Sequence, residues 1–316
     1  MSTASASPSV SASVPAAGAP TRTAPAAGPR RPRRFRLGGL LLNLLGVVVA
    51  LAWVFPVYWM VLSALTPNAL IRQIPPSFLP THATWANFRH VLADPGFASA
   101  LRMSLEITVV TVVIVLFFAF LAALAISRYQ FRGRKSFVLA VLFIQMLPAE
   151  GLFIAQYKML SSVGAAVPVL GLNSVLGITV LYSAAIIPFT VWMLRGFVAG
   201  IPAELEEAAM VDGLSRPQAF MRITFPLLAP GLVASGVYAF LQAWNEFTVA
   251  LVVLPEASSQ TLPLWLRGFL NASVNRGVDW AQVMAASSLI ALPVIVFFMF
   301  VQNKMTSGLV AGAVKG

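Results

Sequence analysis

The sequence contains no cysteine and little charge. Its 316 residues include only 10 aspartates and glutamates and two histidines. Without cysteine the chain cannot form disulfides, iron–sulfur clusters or thiolate zinc sites, and no carboxylate stands at ligand spacing from His82 or His90. The sequence also lacks a phosphate-binding loop, a nucleophile elbow and an HExxH zinc motif. These absences predict a protein that is not an enzyme and has no metal site.

Apolar residues dominate the chain instead. Hydrophobic residues make up 59% of it, and its mean hydropathy of +0.84 is typical of a membrane protein. A transmembrane helix needs about 20 residues with few charges. Charge-free stretches of this length lie between Arg36 and Arg72, Glu106 and Arg128, Lys158 and Arg195, Arg222 and Glu246, and Asp279 and Lys304.

A sixth candidate span runs from Lys135 to Lys158. It is long enough only if Glu150 lies within the membrane or at its edge, beside the helix-breaking Pro148. Without this span, the basic loops would no longer all fall on the same side of the membrane, and the acidic loop near Glu204 would lie outside. The sequence therefore predicts an all-α integral membrane protein with six transmembrane helices.

The distribution of basic residues predicts the topology. Of the 21 lysines and arginines, fifteen lie in the N-terminal segment, the loop after the second span, the region after the fourth span and the C-terminal tail. Because lysine and arginine collect on cytoplasmic loops, both termini are predicted to be cytoplasmic. The net charge of +11 thus follows membrane topology, and no nucleic-acid partner is predicted.

The N-terminal segment differs from the rest of the chain. Residues 1–29 form an Ala/Ser/Pro tract that cannot bury enough apolar surface to order itself. We predict a disordered, basic, cytoplasmic extension over 1–37 and a six-span domain over 38–316. The basic start followed by an apolar run looks like a signal peptide, but the run is too long for one and is interpreted as an uncleaved first span.

Four of the ten acidic residues cluster in one predicted cytoplasmic loop, at Glu204, Glu206, Glu207 and Asp212. Pro202 in the first turn and Gly213 as a left-handed stop predict a helix of about three turns. Ser215 is a good N-cap for a second helix. The loop is therefore predicted to be a helix-turn-helix outside the membrane.

One face of the predicted acidic helix has two side chains of minimal size in its middle. Leu205, Ala208, Ala209 and Asp212 share this face by their three-and-four spacing. Two alanines in its middle would let the helix approach a cleft of a soluble partner closely. The alternative is a helix that rests on the lipid surface, but such helices usually have basic polar faces.

At these residues the sequence resembles a known family. The spacing of Glu207, Ala208, Ala209, Gly213, Ile223 and Pro226 is similar to the EAA loop of ABC import permeases, with Phe225 where the family has leucine. The stretch AFLQAWNEFTVAL and the ending GLVAGAVKG resemble the carbohydrate-uptake branch, in particular the maltose-type second permease. The resemblance covers roughly residues 38–316.

The resemblance implies a fold, partners and a location. It implies the type I ABC importer permease fold in a bacterial inner or plasma membrane, and a sugar or oligosaccharide importer that works by alternating access. The expected partners are a second homologous permease, a cytoplasmic ABC ATPase dimer, an extracytoplasmic sugar-binding protein and membrane lipid. ATP and Mg are expected in the ATPase, with no cofactor on this chain.

The resemblance also assigns roles within the EAA loop, at about 200–226. It implies that this loop couples the permease to the ATPase. The residues assigned to coupling are Glu207, Ala208, Ala209, Asp212, Gly213, Ile223 and Pro226.

Polar residues within the spans are candidates for the substrate pathway, because such groups are costly in lipid. The candidates are Trp244, Asn245, Glu246, Gln145 and Glu150. Two interpretations stay open for Asn245 and Glu246, contact with sugar or bracing between helices. Glu150 lies either in the pathway or in water near the outer surface, and Gln145, like Gln242, is either an interhelical hydrogen-bond partner or a sugar ligand.

Two other functions are considered. An ABC importer permease for another polar solute, such as glycerol phosphate, would favour charged residues in the spans, and the charge-free stretches favour neutral sugars instead. An ion-gradient-driven secondary transporter would need carboxylates near the membrane midplane. Only Glu246 and Glu150 are candidates for that role.

Overall fold

The computed structural model describes residues 37–147, 149–274 and 278–313, and all regular secondary structure within these ranges is helical. The predicted disordered extension lies outside the described residues except for Leu37, which begins the first helix. Pro148 also lies outside them. The all-α prediction is confirmed over the described ranges.

Twelve α-helices are described in these ranges. They are α1 (Leu37–Leu65), α2 (Ala86–Leu92), α3 (Pro95–Arg128), α4 (Arg134–Gln145), α5 (Phe153–Ala166), α6 (Val175–Ala199), α7 (Glu204–Val211), α8 (Arg216–Ala219), α9 (Phe225–Asn245), α10 (Thr248–Val253), α11 (Leu262–Val274) and α12 (Trp280–Ala313). A π-helical turn, Phe220–Thr224, joins α8 to α9.

Among the described residues, five helical stretches are long and apolar enough to cross a membrane. They are Leu41–Leu65, Pro95–Arg128, Val175–Ala199, Arg216–Asn245 and Trp280–Gln302. They correspond to the five charge-free stretches of the sequence.

The predicted third span is not one continuous helix. The structure divides it between α4 and α5, which flank a short 3₁₀ helix, Ala149–Leu152. The sequence gives a reason, because proline has no backbone N–H and disfavours a helical turn before it, so Pro148 favours an interruption in this span. The third predicted span is thus present as an interrupted segment, beside five continuous helices long enough to cross a membrane.

The chain divides into two compact units, 1–53 and 54–316. In the first unit the described side chains of α1, from Leu41 to Trp53, are all exposed, and all but Asn43 are apolar or small. The second unit contains the rest of α1 and every later helix. Its buried residues form the core of the protein.

The centre of the second unit is the packing of α3, α6 and α9. Small residues allow close approach, and Ala119 and Ala123 of α3 have no exposed surface. Gly231 of α9 lies so close to Phe197 that an added Cβ would stand 2.5 Å from the ring. Small residues at helix contacts are how membrane helices pack without a hydrophobic driving force.

The ends of the spans away from α7 carry a helical cap. Asp94 caps α3 by accepting from the Gly96 N–H at 2.7 Å, and it also accepts from Trp265 Nε1 at 3.3 Å. The Trp265 ring lies edge-on to Phe97, 5.1 Å between centroids. The Leu262 N–H donates to Ser104 Oγ at 2.7 Å. Helix α11 is thereby fixed against the start of α3.

Candidate functional site

The acidic helix α7 is shorter than predicted. It has 8 residues, and its N-cap is Ala203, so Pro202 precedes the helix instead of lying in its first turn. The prediction of about three turns is therefore wrong, because the helix begins two residues after Pro202. Glu204, Glu206 and Glu207 do lie in the first turn, where the helix dipole favours negative charge.

The end of α7 is as predicted. Gly213 has φ +92°, the left-handed conformation that a glycine adopts without strain. The Leu214 N–H donates to the Ala209 carbonyl and the Gly213 N–H to the Met210 carbonyl, both at 3.1 Å. This pair of bonds is a Schellman motif, which stops the helix and reverses the chain.

The second helix of the loop begins at the predicted cap. The Ser215 N–H donates to Gln218 Oε1 at 2.9 Å, as in a capping box. However, α8 is not a separate helix. It runs through the π-helical turn into α9, which makes one helical stretch, Arg216–Asn245. The prediction of a separate helix-turn-helix is corrected, because the second helix is the first part of a span.

The two alanines of the motif face opposite ways. Ala209 is buried, whereas Ala208 is exposed. Successive helical residues differ by about 100° around the axis, so α7 can bury Ala209 against the protein while Ala208 stays exposed. The predicted outward face of Leu205, Ala208, Ala209 and Asp212 is therefore corrected by removing Ala209.

The surface that α7 presents to solvent is defined here as the outer face of α7. It consists of Leu205, Ala208, Val211 and Asp212, all exposed, with Val211 87% exposed. Glu207 is also exposed, and of the two more distant motif residues Ile223 is half-buried and Pro226 exposed. Leu205, Ala208 and Val211 form an exposed apolar patch beside acidic residues, and a polar-rimmed apolar patch is typical of a protein interface.

Glu206 has a different environment from the other acids. Arg128 Nη2, at the end of α3, lies 3.3 Å from Glu206 Oε1, and each side chain of the pair is 17% exposed. Thr224 Oγ1, in the π-helical turn, donates to the same oxygen at 2.6 Å. Arg128 also donates to the Ile201 carbonyl at 3.1 Å. Glu206 therefore ties α7 to two spanning helices.

A groove of about 410 Å³ lies beside this ion pair. Helices α3, α7 and α8 contribute to its wall. Its polar lining includes Arg128, Tyr129, Glu206, Glu207 and Arg216. The groove places both acidic and basic groups next to the outer face of α7.

The WNE motif lies where α9 ends. Glu246 accepts from the Tyr182 hydroxyl at 2.6 Å, and from the backbone N–H groups of Val249 at 2.7 Å and Ala250 at 3.1 Å. Its carboxylate thus joins α6 to the first turn of α10. This geometry favours the bracing interpretation of Glu246 over direct contact with sugar.

Trp244 is buried rather than open to the surface. It is 2% exposed, and its ring stacks on Phe240 with 5.7 Å between centroids. In this conformation Trp244 offers no face to a sugar. Asn245 is exposed, and its amide donates to the Leu241 carbonyl at 2.8 Å.

Asn245 belongs to a polar row along α9, defined here as the α9 polar row: Tyr238, Gln242 and Asn245. Gln242 Nε2 donates to the Tyr238 hydroxyl at 3.2 Å, and the Tyr238 ring lies 4.5 Å from that of Phe189 on α6. Gln242 is exposed like Asn245. Tyr238 is not among the residues predicted for the pathway, although its four- and seven-residue spacing from Gln242 and Asn245 places the three on one helical face.

The two remaining candidates lie near the interrupted segment. Gln145 is exposed and is the last residue of α4. Glu150 lies in the 3₁₀ helix Ala149–Leu152, but its side chain lies outside the described residues. Its role in a pathway stays a prediction.

Comparison with known proteins defines the class. Residues 116–307 match the family described as "Binding-protein-dependent transport system inner membrane component". The chain therefore belongs to this family and is an integral membrane permease subunit of a transport system. The resemblance found in the sequence is confirmed.

Individual relatives cover nearly the whole chain. It is 42% identical over 284 residues to the diacetylchitobiose uptake system permease protein DasC of Streptomyces coelicolor, covering 90% of this chain and 100% of the relative. It is 30% identical over 279 residues to the trehalose/maltose transport system permease protein MalG of Thermococcus litoralis, covering 88% of this chain and 97% of that one. These names support the carbohydrate-importer branch of the family.

A solved structure shows the same fold. A chain of a bacterial ABC transporter involved in the import of the acidic polysaccharide alginate matches with a TM-score of 0.68 and 24% identity. The match covers 87% of this chain and 99% of that chain. The predicted fold class, an ABC importer permease, is confirmed, with the third span interrupted as described above.

Proposed function

We propose that this chain is a permease subunit of an ATP-driven importer of neutral oligosaccharides, coupled to a separate ATPase through α7. The coupling role is supported by the outer face of α7, which is exposed, apolar and acidic. The opposite side of α7 is held to the spans through Glu206, which contacts Arg128 and Thr224. The importer class rests on the family, and the solute class on the names of the sugar-uptake relatives. Nucleotide and Mg would belong to the ATPase.

The contacts of Glu206 give a physical route by which movement of α7 could reach the spans. Glu206 holds α7 against Arg128 of α3 and Thr224 of the helical stretch that becomes α9. A partner that moves α7 would therefore move the ends of two spans, since α8 continues into α9 without a break. Alternating access follows if this movement opens one end of the pathway and closes the other.

The proposed assembly follows from this role. A cytoplasmic ATPase dimer would dock on α7, which sets both termini of the chain on the cytoplasmic side. A second homologous permease would complete the pathway, and an extracytoplasmic binding protein would deliver the sugar. Residues Glu207, Ala208, Asp212 and Gly213 would form or support the docking surface, while Ala209 would support it from within.

The α9 polar row supports a neutral solute. It offers two amides and a phenol, which suit sugar hydroxyl groups, and the ring of Phe189 packs beside Tyr238. Amides exposed on a spanning helix are costly against lipid, so they are better placed against a partner helix or a hydrated pathway. The row carries no formal charge, which favours neutral sugars over glycerol phosphate.

The ion-gradient alternative finds less support. Its main candidate carboxylate, Glu246, already accepts one hydroxyl and two backbone N–H groups. A carboxylate held by three donors is a poor carrier for an exchanging ion or proton. The exposed outer face of α7 would also have no purpose in such a transporter.

The proposal is tested by solute uptake into proteoliposomes that contain the complete transporter. We expect uptake of a neutral oligosaccharide to require ATP and binding protein, and to exceed that of glycerol phosphate. Gln242→Leu is expected to raise the KM for the sugar several-fold without loss of assembly, since about 1 kcal/mol is lost with one hydrogen bond. Uptake that follows an ion gradient without ATP would contradict the proposal.

A further inference from the structure

A second groove lies on the side of the protein far from α7. Helices α1, α2 and α12 form its walls, and its volume is about 410 Å³. This is within the roughly 300–1,000 Å³ typical of small-molecule sites. We refer to it as the lateral groove.

The depth of the lateral groove can be read from the helices. Helix α3 ends at Arg128 beside α7, so its start at Pro95, which follows α2, marks the opposite end of the spans. On α1 the groove begins at Val61, about 6 Å below the end of the helix at a rise of 1.5 Å per residue. On α12 it reaches Ile295, about 22 Å from Trp280. The groove therefore covers the depth of one leaflet.

The lining of the groove is apolar along this depth. Aliphatic side chains such as Val57, Val61, Leu292 and Ile295 line its lower part and are each 39–50% exposed. Such a surface would bind a hydrocarbon chain without any polar group left unsatisfied. A polar solute would find no hydrogen-bonding partner among these side chains.

The mouth of the groove has a different chemistry. Trp85, just before α2, and Arg89 in α2 line the mouth, and both are exposed. No acceptor among the described residues pairs with the Arg89 guanidinium, whereas Arg102 is paired with Glu106 at 2.7 Å. Tryptophan and arginine at this level are typical of a membrane–water interface.

We propose that the lateral groove binds an anionic phospholipid of the leaflet opposite α7. One acyl chain would lie between α1 and α12, and the phosphate would bind to Arg89 beside Trp85. The charge of Arg89 distinguishes this lipid from a zwitterionic one, since a basic residue near the surface favours anionic lipid. The bound lipid would hold α2 and the end of α1 against α12.

The test uses the complete transporter reconstituted with a phosphatidylglycerol that carries a photoreactive diazirine on its acyl chain. After illumination, adducts are mapped by mass spectrometry. We expect them on 57–61 and 288–295, and we expect Arg89→Gln to reduce them about fivefold. The matched control Arg102→Gln, at an arginine on the same side of the membrane but outside the groove, is expected to leave them unchanged.

Further experiments distinguish a lipid bound in the lateral groove from bulk lipid and from the second permease. Ala291→Phe is expected to fill the groove and remove the adducts, while Arg89→Gln, at an exposed position, keeps the test valid if the larger substitution disturbs folding. Equal labelling by a diazirine phosphatidylcholine, unaffected by Arg89→Gln, would overturn the proposal in favour of bulk lipid. A photoreactive residue at Leu292 that captures the second permease instead of lipid would also overturn it.

Discussion

Arg128 and Glu206 form an ion pair of 3.3 Å between the end of α3 and the helix α7. The two residues are far apart in the sequence, and both side chains are largely buried. Thr224 donates to the same carboxylate from the start of the α9 stretch. The acidic cluster is therefore divided between one carboxylate that braces the loop internally and others that face outward.

Breaking this brace should reduce both stability and coupling. Glu206→Gln leaves Arg128 without its charged partner, and we expect a loss of about 1–3 kcal/mol in the free energy of unfolding. Thermal unfolding of the reconstituted transporter measures this loss, and the ratio of sugar transported to ATP hydrolysed should fall with it. Glu204→Gln, at an exposed acid, serves as the stability control and should change the free energy by less than about 0.5 kcal/mol. Equal effects of the two substitutions would show that the ion pair contributes nothing.

Gly213 should tolerate asparagine better than valine. Its φ of +92° costs a β-branched residue about 1–2 kcal/mol, whereas asparagine adopts left-handed conformations more readily. No atom lies near enough to obstruct a Cβ at this position, so the backbone alone decides the outcome. The amount of ATPase that copurifies with each variant measures the effect. If valine and asparagine were equally tolerated, the left-handed stop would not be needed.

Two glycines of α9 should respond in opposite ways to alanine. At Gly231 an added Cβ would lie 2.5 Å from the ring of Phe197, and at Gly236 the nearest atom is 3.5 Å away. We expect Gly231→Ala to destabilise the protein by about 1–3 kcal/mol through overpacking. Gly236→Ala should be neutral or stabilising by up to about 1 kcal/mol, because alanine favours the helix. Thermal unfolding distinguishes them, and a stable Gly231→Ala variant would contradict the close packing of α6 and α9.

The Tyr182 and Glu246 side chains should act as one unit. If Glu246 is a brace, Tyr182→Phe and Glu246→Gln each lower stability, and the double variant loses less than the sum of the two. The KM for sugar should change little in either variant. A large rise in KM for Glu246→Gln with unchanged stability would instead assign Glu246 to the substrate pathway.

Local features of the sequence predicted local features of the structure. The glycine stop at Gly213 and the cap at Ser215 depend on residues within a few positions, and both are found as expected. The charge-free stretches likewise predicted the five continuous spans, since length and polarity alone decide whether a helix can cross a membrane.

Features that depend on distant residues were not predictable in this way. Nothing near Glu206 in the sequence indicates that Arg128 will pair with it, and the sequence alone does not distinguish Glu206 from the other acids of the loop. The burial of Trp244 depends on its stacking with Phe240 in the core, which a single-helix pattern does not reveal. The inward position of Ala209 has the same origin, because the contacts of α7 with the spans decide which of two adjacent alanines faces out.

The central claim is that the outer face of α7 docks on an ATPase subunit, and the absence of native cysteine allows a direct test. Single cysteines at Ala208 and at Ala209 would be treated with a short thiol-to-amine crosslinker in native membranes. The exposed Ala208→Cys should form an adduct with a nucleotide-binding subunit, identified by mass spectrometry, and the buried Ala209→Cys should form little or none. If Ala208→Cys captures no ATPase while the transporter still imports sugar, α7 is not the coupling element.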